Sequence, residues 1–176
     1  MPTARYTHVT VQADDLAESV RFYESVFGMD RLPTPRFDEP IQWLRCGDLQ
    51  LHLIETDAGP PAINHHGLHV DDFEGVYRAL LERDDAEFEA LPHAGGSVVN
   101  GHPPVYVLPT GTVQLYVRDP AGNLVEVNAP DAAALDESVV RNRVEREDVS
   151  PPAPGDPAPV LYGDRLLATI DRGTDG

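Results

Sequence analysis

The sequence contains no lysine, a single cysteine and no long apolar run. All 13 basic residues are arginines, against 30 aspartates and glutamates, which gives a net charge of −17. Nucleic acids and anionic membranes would repel such a surface, so this balance argues against non-specific binding to either. An acidic, lysine-free surface resembles that of proteins from salt-loving microbes, but a GC-rich genome that encodes arginine in place of lysine would leave the same composition.

Cys46 has no second cysteine with which to form an internal disulfide. It lies in an apolar, strand-like run, so a buried and inert thiol is favoured over a catalytic one. No stretch reaches the ~20 apolar residues of a membrane-spanning helix, and the N-terminal residues lack the apolar run of a secretory signal. These features predict a soluble, cytoplasmic protein with one core rather than two independent domains.

Two segments of the chain share one pattern. His8 aligns without a gap on His65, and each histidine precedes an Asp-Asp pair and an apolar stripe at helical spacing. An aspartate of each pair can cap the helix that follows, and Gly28 can end the first helix. The pattern indicates an internal repeat that begins with a strand and a helix. The stripes consist of Leu16, Val20, Tyr23 and Phe27 in the first half and of Phe73, Val76, Tyr77 and Leu80 in the second.

Strand-like segments follow each predicted helix. In the first half, residues 41–46 and 49–55 flank Gly47-Asp48, which is typical of a tight hairpin turn. Each half then has one strand, one helix and about three further strands. Neither half can bury both faces of its sheet alone, so the halves should pair. The corresponding strands of the second half are expected at 105–108, 113–117 and 124–128.

The alternation of side chains along a strand sorts the candidate ligands by face. His8 and His65 should point away from the helices, onto the concave face of the sheet. In the hairpin, Trp43 pairs with His52, which puts His52 on that same face. Glu126 lies among apolar residues, where a carboxylate is costly unless it is paired or bound to a cation. We therefore predict a metal site with His8, His65 and Glu126 as ligands, and with His52 as a fourth ligand or as a group beside the metal or substrate.

The other histidines have different predicted roles. His69 lies on the concave face further along its strand and is an alternative ligand, whereas His66 faces the helix and is predicted to be structural. His93 and His102 lie in a long loop over 91–104, from which they could reach the site. Imidazole and carboxylate donors suit one divalent ion of Zn, Ni, Co, Mn or Fe(II). Two histidines and one carboxylate suit Fe(II) and oxygen chemistry, and a fourth ligand suits Lewis-acid catalysis on a chelating substrate.

Over about residues 4–130 the sequence resembles the vicinal oxygen chelate superfamily. This group includes glyoxalase I, fosfomycin-resistance transferases, methylmalonyl-CoA epimerase, extradiol dioxygenases and bleomycin-resistance proteins. The most specific motif is residues 116–126, in which a tyrosine, an Asp-Pro-x-Gly turn and a glutamate close the metal site of the family. The other motifs are residues 8–11 leading into Asp15-Leu16 and Phe22-Tyr23, residues 47–53, and the second start at His65.

The resemblance implies an α+β fold in which two βαβββ modules, residues 4–57 and 63–130, pair within a domain of residues 1–130. The modules would form a half-open barrel around one metal ion held by His8, His65 and Glu126. His52 occupies the strand position where some members supply a fourth ligand. Modules of this family pair either within a chain or across a dimer, and a homodimer is expected here.

The expected function is a glyoxalase- or epimerase-type enzyme, a lyase or isomerase, that binds a small substrate through two adjacent oxygens. Glu126 would act as the base and Tyr116 as a hydrogen-bond donor or acid. One alternative is an Fe(II) extradiol dioxygenase, although residues 107–111 lack the histidine that those enzymes carry there. Another is a ligand-sequestering resistance protein, whose members lack the metal ligands. The expected substrate contacts are Trp43, Arg45, His69, His102 and Arg118.

Residues 131–176 lie outside the resemblance and are expected to form a C-terminal extension. A weak apolar stripe predicts a charged helix over 132–147. Residues 150–159 are rich in proline and predict an extended linker. Residues 160–170 predict a short hairpin or strand.

Overall fold

A computed structural model of the protein describes residues 6–35, 38–60 and 64–150. These residues divide into two compact units. The first unit comprises the residues up to 66 together with 83–87 and 117–125, and the second comprises 67–82, 88–116 and the residues from 126 onward. The elements in chain order are β1 His8–Ala13, α1 Leu16–Phe27, β2 Asp30–Leu32, β3 Ile41–Cys46, β4 Leu49–Glu55, β5 His65–His69, α2 Phe73–Leu81, β6 Glu87–Phe88, β7 Val105–Val107, β8 Val113–Arg118, β9 Leu124–Ala129, a 3-10 helix Ala132–Ala134, and β10 Arg143–Glu145.

The first unit holds a four-stranded sheet with the order β1-β4-β3-β2. Strands β3 and β4 form an antiparallel hairpin, and β1 runs parallel to β4. The hairpin register pairs Cys46 with Leu49 and Trp43 with His52, which confirms the predicted two-residue turn. Gly47 has φ +56°, a conformation that glycine adopts without strain.

Helix α1 begins and ends at the predicted residues. The side chain of Asp15 accepts a hydrogen bond from the N–H of Glu18, and Gly28 adopts the left-handed conformation at the other end. The apolar stripe of this helix supplies much of the core of the unit. Buried apolar residues of the first unit are Ala13, Val20, Phe22, Tyr23, Val26, Met29, Leu44, Leu51, Leu53, Val117, Ala121, Leu124 and Val125.

The second sheet has the order β10-β7-β8-β9-β5, with β6 paired to β8. In the first sheet, the strand before the helix lies beside the last strand of its module, and the second sheet repeats this arrangement with β5 beside β9. The predicted α+β fold and its βαβββ repeat are thereby confirmed. Helix α2 is capped by Asp72, whose side chain accepts from the N–H of Gly75. The pairing of the modules around a metal ion stays a prediction.

The helix predicted over 132–147 is wrong. Asp131 caps a single 3-10 turn, and the Asp136 side chain accepts a hydrogen bond from the N–H of Ser138, which stabilises a turn in place of a helix. Strand β10 then pairs in parallel with β7. A free strand edge offers main-chain hydrogen bonds that outweigh a weak apolar stripe. The predictions for residues 151–176, including the strand over 160–170, lie outside the described residues. Among the described residues, no helix is long and apolar enough to cross a membrane.

Candidate functional site

Three aromatic rings stack on one face of the first sheet. The rings of His8 and His52 lie 4.1 Å apart between centroids and 11° from parallel. The ring of Trp43 lies on His52 at 4.4 Å and 6°. The stack follows from the strand registers. His52 is paired with Trp43 of β3 on one side and with Thr10 of β1 on the other, and His8 lies two residues before Thr10 on the same face of β1. The predicted sharing of a face by His8, His52 and Trp43 is confirmed.

The His52 imidazole has one ring nitrogen engaged and a lowered pKa. Its Nε2 lies 2.8 Å from Oε1 of Gln50. Burial, and then the charge of His8, lower the pKa of His52. The ring is therefore neutral at pH 7, which is the form in which an imidazole binds a metal ion.

His65 lies in a cleft of about 570 Å³ in the first unit. His66, its neighbour, lines the same cleft, and its ring lies 6.2 Å from that of Tyr23 on α1. This position agrees with the predicted helix-facing role of His66. Burial, and then the charge of His65, lower the pKa of His66 to about 4. The other residues that line the cleft are Val9, Thr10, Val11, Gln12, Pro60, Asn64, Asn123 and Leu124.

A carboxylate held by two neutral donors lies in the second unit. Glu126 is 5% exposed. Its Oε2 accepts a hydrogen bond from the hydroxyl of Tyr116 at 2.9 Å, and its Oε1 accepts one from Nε2 of Gln114 at 2.8 Å. Burial, and then the charge of Glu126, raise the pKa of Tyr116, so the hydroxyl keeps its proton and donates. The sequence reasoning missed Gln114, although alternation along β8 puts it on the same face as Tyr116.

The remaining predicted residues lie in different surroundings. In the second unit, Nε2 of His69 lies 3.1 Å from a carboxylate oxygen of Asp71. In the same unit, Nδ1 of His102 lies 3.0 Å from the Tyr77 hydroxyl, so the ring packs against α2. In the first unit, Arg45 is exposed.

Arg118, also in the first unit, closes the turn between β8 and β9. Its Nη1 donates to the carbonyl of Gly122 at 2.8 Å. The same turn is held from inside by the Asp119 carboxylate, whose Oδ1 accepts from the N–H groups of Ala121 and Asn123. Hydrogen bonds from Arg118 and to Asp119 therefore hold the Asp-Pro-Ala-Gly turn.

No three histidine, cysteine, aspartate or glutamate side chains cluster as a metal site within residues 6–35, 38–60 and 64–150. The described contacts bring His8 to His52 and Tyr116 to Glu126. The donor set of imidazoles and a buried carboxylate has the chemistry that borderline divalent ions prefer. The predicted ligand set of His8, His52, His65 and Glu126 stays a prediction.

The sequence profile of the Glyoxalase/Bleomycin resistance protein/Dioxygenase superfamily matches residues 5–127, more than half of the chain. The chain belongs to this superfamily. The match includes His8, His52, His65 and Glu126, and it ends before the 3-10 helix and β10. Membership agrees with the βαβββ topology of the two sheets.

Several known proteins are similar to this chain. A probable lactoylglutathione lyase of Vibrio parahaemolyticus serotype O3:K6 is 28% identical over 141 residues, which cover 72% of this chain and 91% of that protein. The crystal structure of lactoylglutathione lyase from Agrobacterium tumefaciens is 23% identical, with a TM-score of 0.50 over 77% of this chain and all of that one. The fosfomycin resistance protein FosX of Listeria monocytogenes, complexed with Mn(II) and sulfate, is 12% identical, with a TM-score of 0.53 over 73% of this chain and 93% of that one. At these identities the two structures show the shared fold.

Proposed function

We propose that this protein is a divalent-metal-dependent enzyme of the glyoxalase and epimerase type, acting on a small substrate chelated through two adjacent oxygens. The observation that carries the proposal is the buried Glu126 carboxylate, oriented by Tyr116 and Gln114. A carboxylate offers about four lone-pair sites, so two hydrogen bonds orient it without exhausting its capacity to bind a metal ion or a proton. Two similar proteins, a probable lactoylglutathione lyase and a fosfomycin resistance protein complexed with Mn(II), agree with this chemistry.

The proposed ligands are His8, His65 and Glu126, with His52 as the fourth. The support is their donor chemistry and their position within the superfamily match. The lowered pKa of His52 keeps that ring available as a neutral donor. A divalent cation bound by these groups would supply Lewis acidity to the two substrate oxygens.

The proposed roles of the protein groups follow from their hydrogen bonding. Glu126 takes the proton from the substrate carbon next to a carbonyl, since its carboxylate is buried and fixed in orientation. Tyr116 keeps its proton, and its hydroxyl donates a hydrogen bond to Glu126. The stacked Trp43 provides an apolar wall. Proposed contacts to an anionic or polar part of the substrate come from Arg45, Arg118, His69 and His102.

The proposed oligomeric state is a homodimer. Val9 of β1 is an apolar strand residue that is 38% exposed, and a second copy that covered it would gain apolar burial. Light scattering at several concentrations measures the mass directly. A monomer at all concentrations would remove this part of the proposal.

Metal analysis tests the ligand set. Protein purified without chelators should carry close to one equivalent of a first-row divalent metal ion, and stripped protein should bind Mn(II), Ni(II) or Zn(II) in a titration. His65→Ala and Glu126→Gln should weaken that binding by at least tenfold. Glu18→Gln serves as the matched control for Glu126→Gln, because the side chain of Glu18 is exposed on α1. Stoichiometric metal in both ligand variants would contradict the assignment.

Activity assays then separate the reaction types. Metal-loaded protein should catalyse the formation or isomerisation of 2-hydroxyacyl or 2-oxo compounds. The first assay measures lactoylglutathione formation. The second measures the epimerisation of 2-oxo acids. An iron-loaded sample exposed to catechols tests ring cleavage. Catechol opening without any lyase or epimerase activity would favour the dioxygenase alternative.

A further inference from the structure

A chain of hydrogen bonds runs to the Glu126 carboxylate from a residue beyond the superfamily match. Arg146 follows β10, and its backbone N–H donates to the carbonyl of Val107 at 2.9 Å, which holds the residue at the edge of the second sheet. Its Nη1 donates to Oε1 of Gln114 at 3.1 Å, and Nε2 of Gln114 donates to Oε1 of Glu126 at 2.8 Å. The Arg146 side chain is 10% exposed, so the contacts are shielded from solvent.

The two neighbours of the Gln114 amide permit one orientation of that amide. An arginine can only donate hydrogen bonds, and an ionised carboxylate can only accept them. In the observed orientation the amide oxygen faces Arg146 and the NH2 group faces Glu126. Rotation by half a turn would set donor against donor at one end and acceptor against acceptor at the other.

Asp148 holds the guanidinium of Arg146 in the plane that this contact needs. Nε and Nη2 of Arg146 donate to Oδ1 and Oδ2 of Asp148 at 2.8 Å each, a bidentate pair. The guanidinium carbon also lies 5.9 Å from the centroid of the Tyr106 ring. With these contacts made, Nη1 is directed at Gln114.

We propose that Arg146 is a positioning residue for Glu126 and acts through Gln114. Arg146 holds the glutamine amide so that its NH2 group fixes one oxygen of the carboxylate, while the Tyr116 hydroxyl fixes the other. The inference rests on the proposed function in one respect, because it takes Glu126 as the metal ligand and base. It assigns a role at the site to the segment after residue 130, which the superfamily match does not include.

Removal of Arg146 should free the amide of Gln114 to rotate. One oxygen of Glu126 then loses a fixed donor, and the carboxylate samples orientations that do not suit a metal ion. Loss of a partner that orients a metal ligand typically weakens metal binding by about 10- to 100-fold. We expect a weakening in that range for Arg146→Gln.

The first experiment follows the Gln114 side-chain amide by NMR in metal-free, 15N-labelled protein. The wild type should show two well-separated amide protons with slow hydrogen exchange, assigned by their loss in Gln114→Met. In Arg146→Gln the two signals should move toward free-glutamine positions and exchange at least tenfold faster. Arg143→Gln is the matched control, since Arg143 lies in β10, three residues before Arg146, and donates to the carbonyl of Leu135 rather than to Gln114. An unchanged amide in Arg146→Gln would overturn the proposal.

Two further variants separate geometry from charge and from folding. Arg146→Lys keeps the positive charge but cannot donate to Asp148 and Gln114 together in one plane. We expect it to show the same amide changes, and full recovery in this variant would overturn a positioning role. Asp148→Asn leaves Arg146 in place and should give a smaller change of the same kind, which covers the case in which Arg146→Gln fails to fold.

Metal titration of the same variants distinguishes a failure of the Arg146 inference from a failure of the proposed function. If wild-type protein binds a metal ion and Arg146→Gln binds it about 10- to 100-fold more weakly than Arg143→Gln, the proposal is supported. If the wild type and Arg146→Gln bind equally, the inference fails and the proposed function stands. If the wild type binds no metal ion, the proposed function fails, and the NMR result alone decides whether Arg146 orients the amide.

Discussion

The hydrogen bond between Tyr23 and Asp119 joins α1 to the turn after β8, and it makes a sharp test of the first unit. The Tyr23 hydroxyl donates to Oδ2 of Asp119 at 2.9 Å. Tyr23 has no exposed surface and Asp119 is 4% exposed, so water does not replace a missing partner. Tyr23→Phe removes one oxygen atom and keeps the ring that packs in the core.

The cost of this change follows from the partners that remain. Asp119 still accepts from the N–H groups of Ala121 and Asn123 and from Nδ2 of Asn123. The substitution therefore removes one of several hydrogen bonds to a charged group, each worth about 1.5–3 kcal/mol. We expect the free energy of unfolding to fall by about 2 kcal/mol at pH 7.

Urea unfolding at equilibrium measures the effect. The midpoint should fall with an unchanged slope, because the surface exposed on unfolding is nearly the same. Tyr6→Phe is the matched control, since Tyr6 is 81% exposed and its hydroxyl is solvated. A Tyr23→Phe loss no larger than that of the control would refute the reasoning.

The stability cost of Tyr23→Phe should depend on pH in a definite direction. Burial raises the pKa of Asp119, and the bond from Tyr23 opposes that rise. Without the bond, the folded-state pKa moves further above the unfolded value of about 3.9. A raised carboxyl pKa contributes stability below the unfolded pKa, and that contribution is lost as the pH rises through the folded pKa. The cost of Tyr23→Phe should therefore grow as the pH is raised from about 4 to 7 and shrink in acid.

Two further measurements follow from the chain as a whole and from its one thiol. The net charge of −17 predicts that the folded chain repels itself. Raising the salt concentration from 0.1 to 1 M shortens the screening length from about 10 Å to about 3 Å and should therefore raise the midpoint of urea unfolding. A midpoint that does not change over this range would contradict the prediction. Burial raises the pKa of Cys46, so the native thiol should react with a disulfide reagent at pH 8 several-fold more slowly than the thiol of the urea-unfolded chain, and equal rates would count against that burial.

Local periodicity carried much of the fold prediction. The His8 and His65 repeat, the Asp15 cap and the Gly47 turn are all properties of short segments, and the structure confirms the topology built from them. The Trp43 and His52 pairing followed from counting residues across the hairpin. The stack of His8 on His52 required in addition the parallel pairing of β1 with β4, which the hairpin register does not determine.

The segment after residue 130 shows where local pattern fails. Its weak apolar stripe fits a helix, yet residues 143–145 form a strand because β7 has an edge open to pairing. That edge is a property of the folded sheet, and no window of sequence contains it. The pairing of β10 with β7 also brings Arg146 to Gln114, although 32 positions separate the two residues in the sequence.

By itself, the sequence determined the repeat, the helix caps, the hairpin register and the residue types of the candidate metal site, because each depends on spacing within one segment. The tertiary structure alone decided that Gln114 and Tyr116 donate to the two oxygens of Glu126, and that β10 extends the second sheet. These features depend on which strands become neighbours, since hydrogen bonds across a sheet join residues that sequence spacing does not relate.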